Sequence, residues 1–371
     1  MNPVRILLIG GGHAHIEVIR QYPELFGELA VEMILVSPDP GSAYSGMLPG
    51  AVAGHYKVED ILINLPSLCE ASGVRWLQGR FQALAEDQRS IILADGRVLA
   101  FDYISFDIGS VPSGLKNPHS AHSMGAKPVI PYLQAWERFL QGVCDDSSTR
   151  TVTVVGGGVA AFELALAMHH RIGTQQQGGR CAWQLISSGE LLAGHNPLVR
   201  SKGRAVLKRA GFHCRTGVKV SAVEGQKLLL SDGQTLNSDF TVLCTPAMPV
   251  LDLSAAGMSV SEQGFLPVDE FLQIKGLHNG FAVGDIAQYP TPLAKAGVYA
   301  VRQGPVLAAN LKSAVQGQPL KAFRPQRTFL KLITLGDQQA MASRGWFYCQ
   351  GSWVWQWKHR IDTGFMEKYQ R

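Results

Sequence analysis

Twice in this chain a β-branched, apolar run stops at three glycines. Val4-Arg5-Ile6-Leu7-Leu8-Ile9 leads into Gly10-Gly11-Gly12, and Val152-Thr153-Val154-Val155 leads into Gly156-Gly157-Gly158. A helix-compatible segment follows each, and a strand, a glycine turn and a helix in that order seat a dinucleotide pyrophosphate on a helix N-terminus. One such motif is weak evidence. Two in one chain point to two dinucleotides held facing each other, and so to electron transfer between them.

With 371 residues, 46% of them hydrophobic, the chain can bury sizeable cores, and its length suggests two or three domains. The net charge of +5 is scattered rather than clustered, which excludes a nucleic-acid partner from the expectation and suits anionic cofactors. No apolar run reaches about 18 residues and Met1 to Arg5 has no signal-peptide pattern, so the expected location is cytoplasmic. Cys69, Cys144, Cys181, Cys214, Cys244 and Cys349 form no CxxC pair, which removes the redox-dithiol signature and leaves them expected mostly as buried small hydrophobes. A pair assembled only by folding stays open. His119, His122, His169 and His170 have no partners at metal-ligand spacing, so no metal is expected.

The pattern predicts an α/β fold with two Rossmann-like dinucleotide-binding domains. In the first unit the glycine turn is followed by a helix (Ala14 to Tyr22), a strand (Val31 to Val36) and a β-rich part at Val74 to Leu77, Ser90 to Leu93 and Tyr103 to Phe106. The second repeats that order with a helix from Ala160 to Arg171, a strand Trp183 to Ile186, a helix Leu198 to Ala210 and strands near Val218 to Val223 and Phe240 to Cys244. The resulting division is a split first domain at 1–115 and 246–322, an inserted second domain at 116–245, and a small aromatic-rich domain at 323–371.

In the first motif, Gly10 permits the tight turn and Gly12 lets backbone approach the pyrophosphate, but His15 stands where a small residue is usual. The ribose-binding carboxylate expected about 20 residues on is replaced by Ser37, with Pro38 and Asp39 following. The second motif keeps all three small positions in Gly156, Gly158 and Ala161, with Glu163 further along the helix. Its second strand ends at Ser187-Ser188 with Glu190 near, which tilts toward NADH without excluding NADPH. Gly284-Asp285, directly after a predicted strand, puts a carboxylate at a sheet's C-terminal edge, where it can accept from cofactor hydroxyls.

With these motifs in this order the chain resembles the two-dinucleotide-domain flavoproteins, the class of glutathione reductase-like enzymes, type II NADH dehydrogenases and sulfide:quinone oxidoreductases. Gly10-Gly11-Gly12-His13-Ala14-His15, Tyr44-Ser45-Gly46-Met47-Leu48-Pro49-Gly50 and Pro292 to Pro305 are similar to the pyridine nucleotide-disulfide oxidoreductase-like module associated with selenide, water dikinase. The resemblance runs from Val4 to Tyr369. It implies FAD in the first domain, with Gly10, Gly12, His13 and Ala14 near the pyrophosphate, Ser37 and Pro38 near the adenosine ribose, and Ser45, Gly46, Met47 and Leu48 near the flavin. It further implies Gly109-Ser110 as a crossover loop, Gly284-Asp285 at the ribityl chain, and Lys295, Ala296 and Gly297 opening a helix aimed at the flavin ring. NAD(P)H would lie on Gly156, Gly158, Ala161 and Ser187, with Glu163 on its nicotinamide side; Glu163 and Lys295 are the implied catalytic residues.

Glutathione reductase-like enzymes need a dithiol beside the flavin, and here the corresponding segment holds only Cys69. The expected activity is therefore transfer of hydride from NAD(P)H to FAD, then of electrons to a quinone-like or other small acceptor. Two alternatives come from the dikinase resemblance alone: a flavin-dependent selenium or sulfur oxidoreductase, and a flavin-binding partner or regulatory module of the dikinase. Trp353-x-Trp355-x-Trp357 alternates as a strand does. With Trp346, Phe347 and Tyr348 it predicts either an interface packed by aromatics, the favoured reading, or a surface facing membrane or quinone.

Overall fold

The computed structural model describes residues 3–113, 122–144, 148–175, 180–326 and 328–370. The expected boundary at residue 115, and His119, lie outside them, as does the side chain of Cys144.

The two glycine units are built alike. In the first, β1 (Val4–Ile9), β2 (Val31–Ser37), β3 (Arg75–Gln78) and β4 (Tyr103–Phe106) form a parallel sheet. In the second, β5 (Ser123–Gly125), β6 (Arg150–Val155), β7 (Cys181–Ser187), β8 (Phe212–Thr216) and β9 (Phe240–Leu243) do the same. β10 (Gly280–Ala282) returns to the first sheet as its fifth strand. The orders are β10-β4-β1-β2-β3 and β5-β9-β6-β7-β8, every neighbouring pair parallel. Between β3 and β4, and between β8 and β9, each unit carries a three-stranded antiparallel meander, at 81–100 and 220–237.

The central strands are apolar along their length because both faces are covered, as parallel sheets require. Ile6, Leu7, Leu8 and Ile9 are all buried, with Leu7 and Ile9 on one face and Ile6 and Leu8 on the other. The helix α1 (His13–Phe26) starts at Gly12, and α2 (Val159–Gly173) starts at Gly158. α3 (Gly297–Val315) packs against α1 so closely that a Cβ at Gly304 would lie 2.6 Å from the Glu17 Cβ.

The C-terminal unit is an antiparallel sheet, 331–334, 340–344 and 347–351, followed by α4 (Ser352–Met366). The expected alternating strand at Trp353 to Trp357 is thus a helix, one side of which is buried at Val354, Asp362, Phe365 and Met366. The aromatics divide between the two expectations. Trp346 is 85% exposed, Trp353 53% and Trp357 39%, whereas Trp355 is half-buried, stacked on His359 at 5.3 Å and edge-on to His55 of the first unit at 5.7 Å. This unit ties the other two together. Thr334 meets Glu163 of α2, Tyr44 donates to Asp362, and Tyr369 donates to Glu17 of α1 at 2.7 Å. Burial of the cysteines is also less general than expected: Cys69 is buried, Cys181, Cys244 and Cys349 are half-buried and Cys214 is exposed, all as free thiols.

Candidate functional site

The two glycine turns close on equivalent structural elements. Gly10 has φ +92° and a Cβ there would lie 2.5 Å from the Asp107 carbonyl oxygen; Gly156 has φ +143° and a Cβ there would lie 2.5 Å from the Cys244 carbonyl oxygen. Asp107 and Cys244 are the residues directly after β4 and β9. Each first glycine is therefore required twice, by its left-handed backbone and by the strand beside it.

The third position explains itself in the fold. His15 is buried, its Nδ1 2.7 Å from the Gly10 carbonyl oxygen and its Nε2 2.8 Å from Ser105 Oγ on β4. Burial holds it down at about 4, so a neutral ring bolts the turn to the sheet where other chains pack a small residue. In the second unit Ala161 is small and buried, as the motif predicts.

Asp107 lies outside both glycine motifs. Its carboxylate accepts from the Ala14 and His15 amides at 2.9 and 3.3 Å, in the first turn of α1. Burial pushes it up to about 7. An Asp directly after an apolar strand and just before Gly109-Ser110 was a legible signal, of the same kind as Gly284-Asp285. Lys127, likewise outside both motifs, reaches Asp285 at 2.6 Å, and Ser110 donates to the same oxygen at 2.9 Å. Burial would raise Asp285, but Lys127 and Ser110 hold it below the usual carboxylate value.

At the mouth of the first turn the His13 ring lies 5.5 Å from Tyr44 and 5.9 Å from Phe365. Its Nε2 is buried with no hydrogen-bond partner. Burial, then Lys127, lowers this ring to about 4. A neutral imidazole with an orphaned nitrogen beside a helix N-terminus fits a site completed by a bound group. Ser37 is buried and donates to the Asp39 carbonyl oxygen, and Gln78 reaches the Pro38 carbonyl oxygen. Met47 and Leu48 are buried, and Ser45 and Gly46 line the same approach to α3. α3 begins at Gly297 after Ala296, as expected. Lys295 turns aside: its Nζ donates to the Ala287 carbonyl oxygen at 2.7 Å and sits 3.8 Å from the centre of the Phe265 ring. Burial lowers it to about 8.

Two cavities flank this core. The larger, about 750 Å³, lies over the second turn and is lined by Gly156, Gly157, Gly158, Ser187, Ser188, Glu190 and others. A Cβ on Gly158 would meet nothing within 4 Å, so that glycine faces open space. At the cavity's rim Glu190 is paired with both Arg200 and Arg204. Glu163 is not among the lining residues. It is buried and accepts from the Thr334 amide at 2.7 Å and the Thr334 hydroxyl at 3.0 Å, with burial raising it. The smaller cavity, about 410 Å³, lies between Tyr44 and Gly46, the first turns of α3 at Val298 and Arg302, and the C-terminal unit at Arg344, Lys358, Ile361 and Asp362. Lys358 donates to the Gly46 carbonyl oxygen at 2.6 Å and to Asp362 at 2.5 Å.

Residues 4–304 match the family described as pyridine nucleotide-disulphide oxidoreductase. The chain belongs to this family. It is accordingly an oxidoreductase that uses FAD and NAD(P)H. It is 25% identical over 360 residues to ferroptosis suppressor protein 1 of Taeniopygia guttata, covering 93% of this chain and 90% of that one. It is 24% identical to an NADH dehydrogenase-like protein of Mycobacterium tuberculosis, covering 92% and 88%. Its fold is that of the sulfide:quinone oxidoreductase of Aquifex aeolicus, with TM-score 0.82, 18% identity, and 99% and 91% of the two chains covered. NDH2 of Plasmodium falciparum in complex with NADH superposes with the same score at 13% identity, over 98% and 97% of the chains. The family's name does not transfer a dithiol: Cys69, the cysteine nearest the first turn in sequence, is buried with its thiol pushed up to about 12.

Proposed function

We propose that this protein carries two electrons from NAD(P)H on the second glycine turn, through FAD on the first, to a quinone-like acceptor that enters the smaller cavity. The observation that carries the proposal is that cavity. It abuts Tyr44, Gly46 and the first turns of α3, where the resemblance puts the flavin ring, and it is separate from the larger cavity over the second turn. The flavin supplies the relay between a hydride donor and the acceptor; the chain's own residues supply place and charge.

Gly156, Gly158 and the α2 N-terminus hold the nicotinamide's diphosphate, and Ser187, Ser188 and Glu190 stand at its adenosine end. Exposed ion pairs are weak and exchangeable. Glu190 can thus accept from a ribose hydroxyl while Arg200 and Arg204 meet a 2′-phosphate, so both nicotinamides are expected donors. The α1 N-terminus and His13 hold the flavin diphosphate, Asp285 with Ser110 and Lys127 meets the ribityl chain, and the α3 N-terminus presents partial positive charge to the ring. Glu163, latched to Thr334, positions the C-terminal unit over this core, and Lys295, engaged on Phe265, braces the approach to α3. Arg302, Arg344 and Lys358 outnumber Asp362 around the acceptor cavity and favour an electron-rich oxygen there.

Val298→Trp tests the exit. The bulk fills the cavity, so quinone reduction is expected to fall at least about tenfold, while anaerobic bleaching of the flavin by NADH stays within about twofold. Equal loss of both rates would place the acceptor elsewhere.

Trp353, Trp357 and Ile361 share one exposed face of α4, Trp346 and Phe347 on the hairpin of the same unit are exposed too, and Ile361 also lines the cavity. Aromatic side chains of this kind sit at membrane interfaces, and no described helix is long and apolar enough to cross a membrane. This favours peripheral contact, with the cavity mouth turned to a lipid-borne acceptor. Replacing Trp346, Trp353 and Trp357 by Ser is expected to abolish co-sedimentation with anionic vesicles and leave NADH-dependent flavin reduction intact. Unchanged vesicle binding would refute the membrane reading. The selenide, water dikinase partner and a selenium or sulfur substrate continue to rest on the sequence resemblance alone.

A further inference from the structure

Because the two glycine units are duplicates, each is a control for the other. Asp107 and Cys244 occupy equivalent places, each under the first glycine of its turn. At the last glycine of each triplet the units part. A Cβ on Gly158 would meet nothing within 4 Å, whereas one on Gly12 would fall 2.1 Å from the Asp107 carboxyl carbon, and one on Gly284 would fall 2.4 Å from Asp107 Oδ1. The volume that the second unit leaves open is filled in the first by a carboxyl group.

That carboxyl group is 4% exposed and accepts from two amides in the first turn of α1, the turn on which the flavin diphosphate is read to sit. Two anions side by side in a low-dielectric pocket repel strongly, and the one that can take up a proton does so. We propose that FAD binding to this chain is coupled to protonation of Asp107: the first unit accepts the diphosphate with the Asp107 carboxyl neutral, so that flavin uptake above neutral pH draws in a proton. The proposal rests on reading the first unit as the FAD site.

The groups around Asp107 leave it as the candidate for this proton. On α1, His13 and His15 are buried and held near 4, hence neutral across the neutral range. After β10, Asp285 is held below its usual value by Lys127 and Ser110, and the Tyr289 hydroxyl is raised by burial. Lys127 and Lys295 both act on Asp285. Asp107, raised by burial to about 7 before any diphosphate arrives, is pushed higher by the added negative charge. The linkage sign follows. Affinity is greatest where Asp107 is already protonated and falls as pH rises between its free and its flavin-bound values.

Apoprotein titrated with FAD by flavin fluorescence from about pH 6 to about pH 9 tests this. The wild-type Kd is expected to be flat below about 7 and to rise about tenfold per pH unit above it. Asp107→Asn, with the same shape and no titrating proton, is expected to hold Kd flat throughout. Should that variant not fold, mixing wild-type apoprotein with FAD in weak buffer containing an indicator dye is expected to show uptake of about one proton at about pH 8. A pH-independent wild-type Kd without proton uptake would overturn the proposal while leaving the FAD site in place. The same slope in Asp107→Asn would overturn it in favour of another group. Failure to bind FAD at any pH would overturn both.

Discussion

Gly158→Val is expected to give a folded, yellow protein that neither NADH nor NADPH reduces at a useful rate. The reason is the open space at this position. Gly158 has φ −81° and ψ 179°, a conformation any residue adopts, and a Cβ there touches nothing. The valine methyls therefore cost the fold little and project into the cavity over the second turn, where the diphosphate must approach the α2 N-terminus. Displacing a bound donor by even about 1 Å costs on the order of a hundredfold in rate, and the anaerobic rate constant for flavin bleaching is the readout. Flavin content should be unchanged, since the first unit is untouched. A rate within about threefold of wild type would show that the nicotinamide does not bind at this turn.

Lys358→Met is expected to destabilise the C-terminal unit strongly. The Lys358 ammonium bridges Asp362 and the Gly46 carbonyl oxygen, with side-chain exposures of 12% and 5% for the two charged partners. Glu163 also feels its charge. Methionine of similar length removes the charge and leaves two buried carboxyls without it, a loss of about 3–5 kcal/mol by comparison with other broken buried pairs. The pH dependence has a definite sign. Burial already raises Asp362 and Glu163 above their ordinary values, and losing Lys358 raises them further. Groups raised on folding stabilise the fold only when protonated, so the deficit relative to wild type should be full at neutral pH and shrink as the pH falls through their raised values. Denaturant unfolding of both proteins at about pH 7 and about pH 5 reads this; an equal deficit at both would remove the carboxyls from the explanation.

How legible these features were in the sequence depended on how local their causes are. The strands Ser90–Leu93 and Tyr103–Phe106 fall where the β-branched runs end, because those runs are bounded by turn residues such as Asp95-Gly96. The duplication was visible because strand, glycine turn and helix occur in a fixed order. In α4 alternating tryptophans imitate a strand over three positions, whereas the helical stripe from Val354 through Asp362 to Phe365 and Met366 needs a longer window to emerge. Asp107 can be suspected as an Asp directly after an apolar strand, but its role depends on Gly12 and Gly284, which lie 95 residues before it and 177 after it in the chain, and no local pattern announces that. The Lys358–Asp362 pair has helical spacing and could be suspected, but its contact with Gly46 lies 312 residues away and no local pattern announces it. Glu163 was rightly expected on the helix of the second motif, yet which way it faces is decided by Thr334, a residue of the third unit.

The most direct test of the account is an anaerobic titration of the purified yellow protein with NADH and with NADPH, followed by addition of a soluble quinone. The account predicts that the flavin band near about 450 nm is lost with about one equivalent of nucleotide and restored by the quinone. A spectrum unchanged by either nucleotide would contradict it.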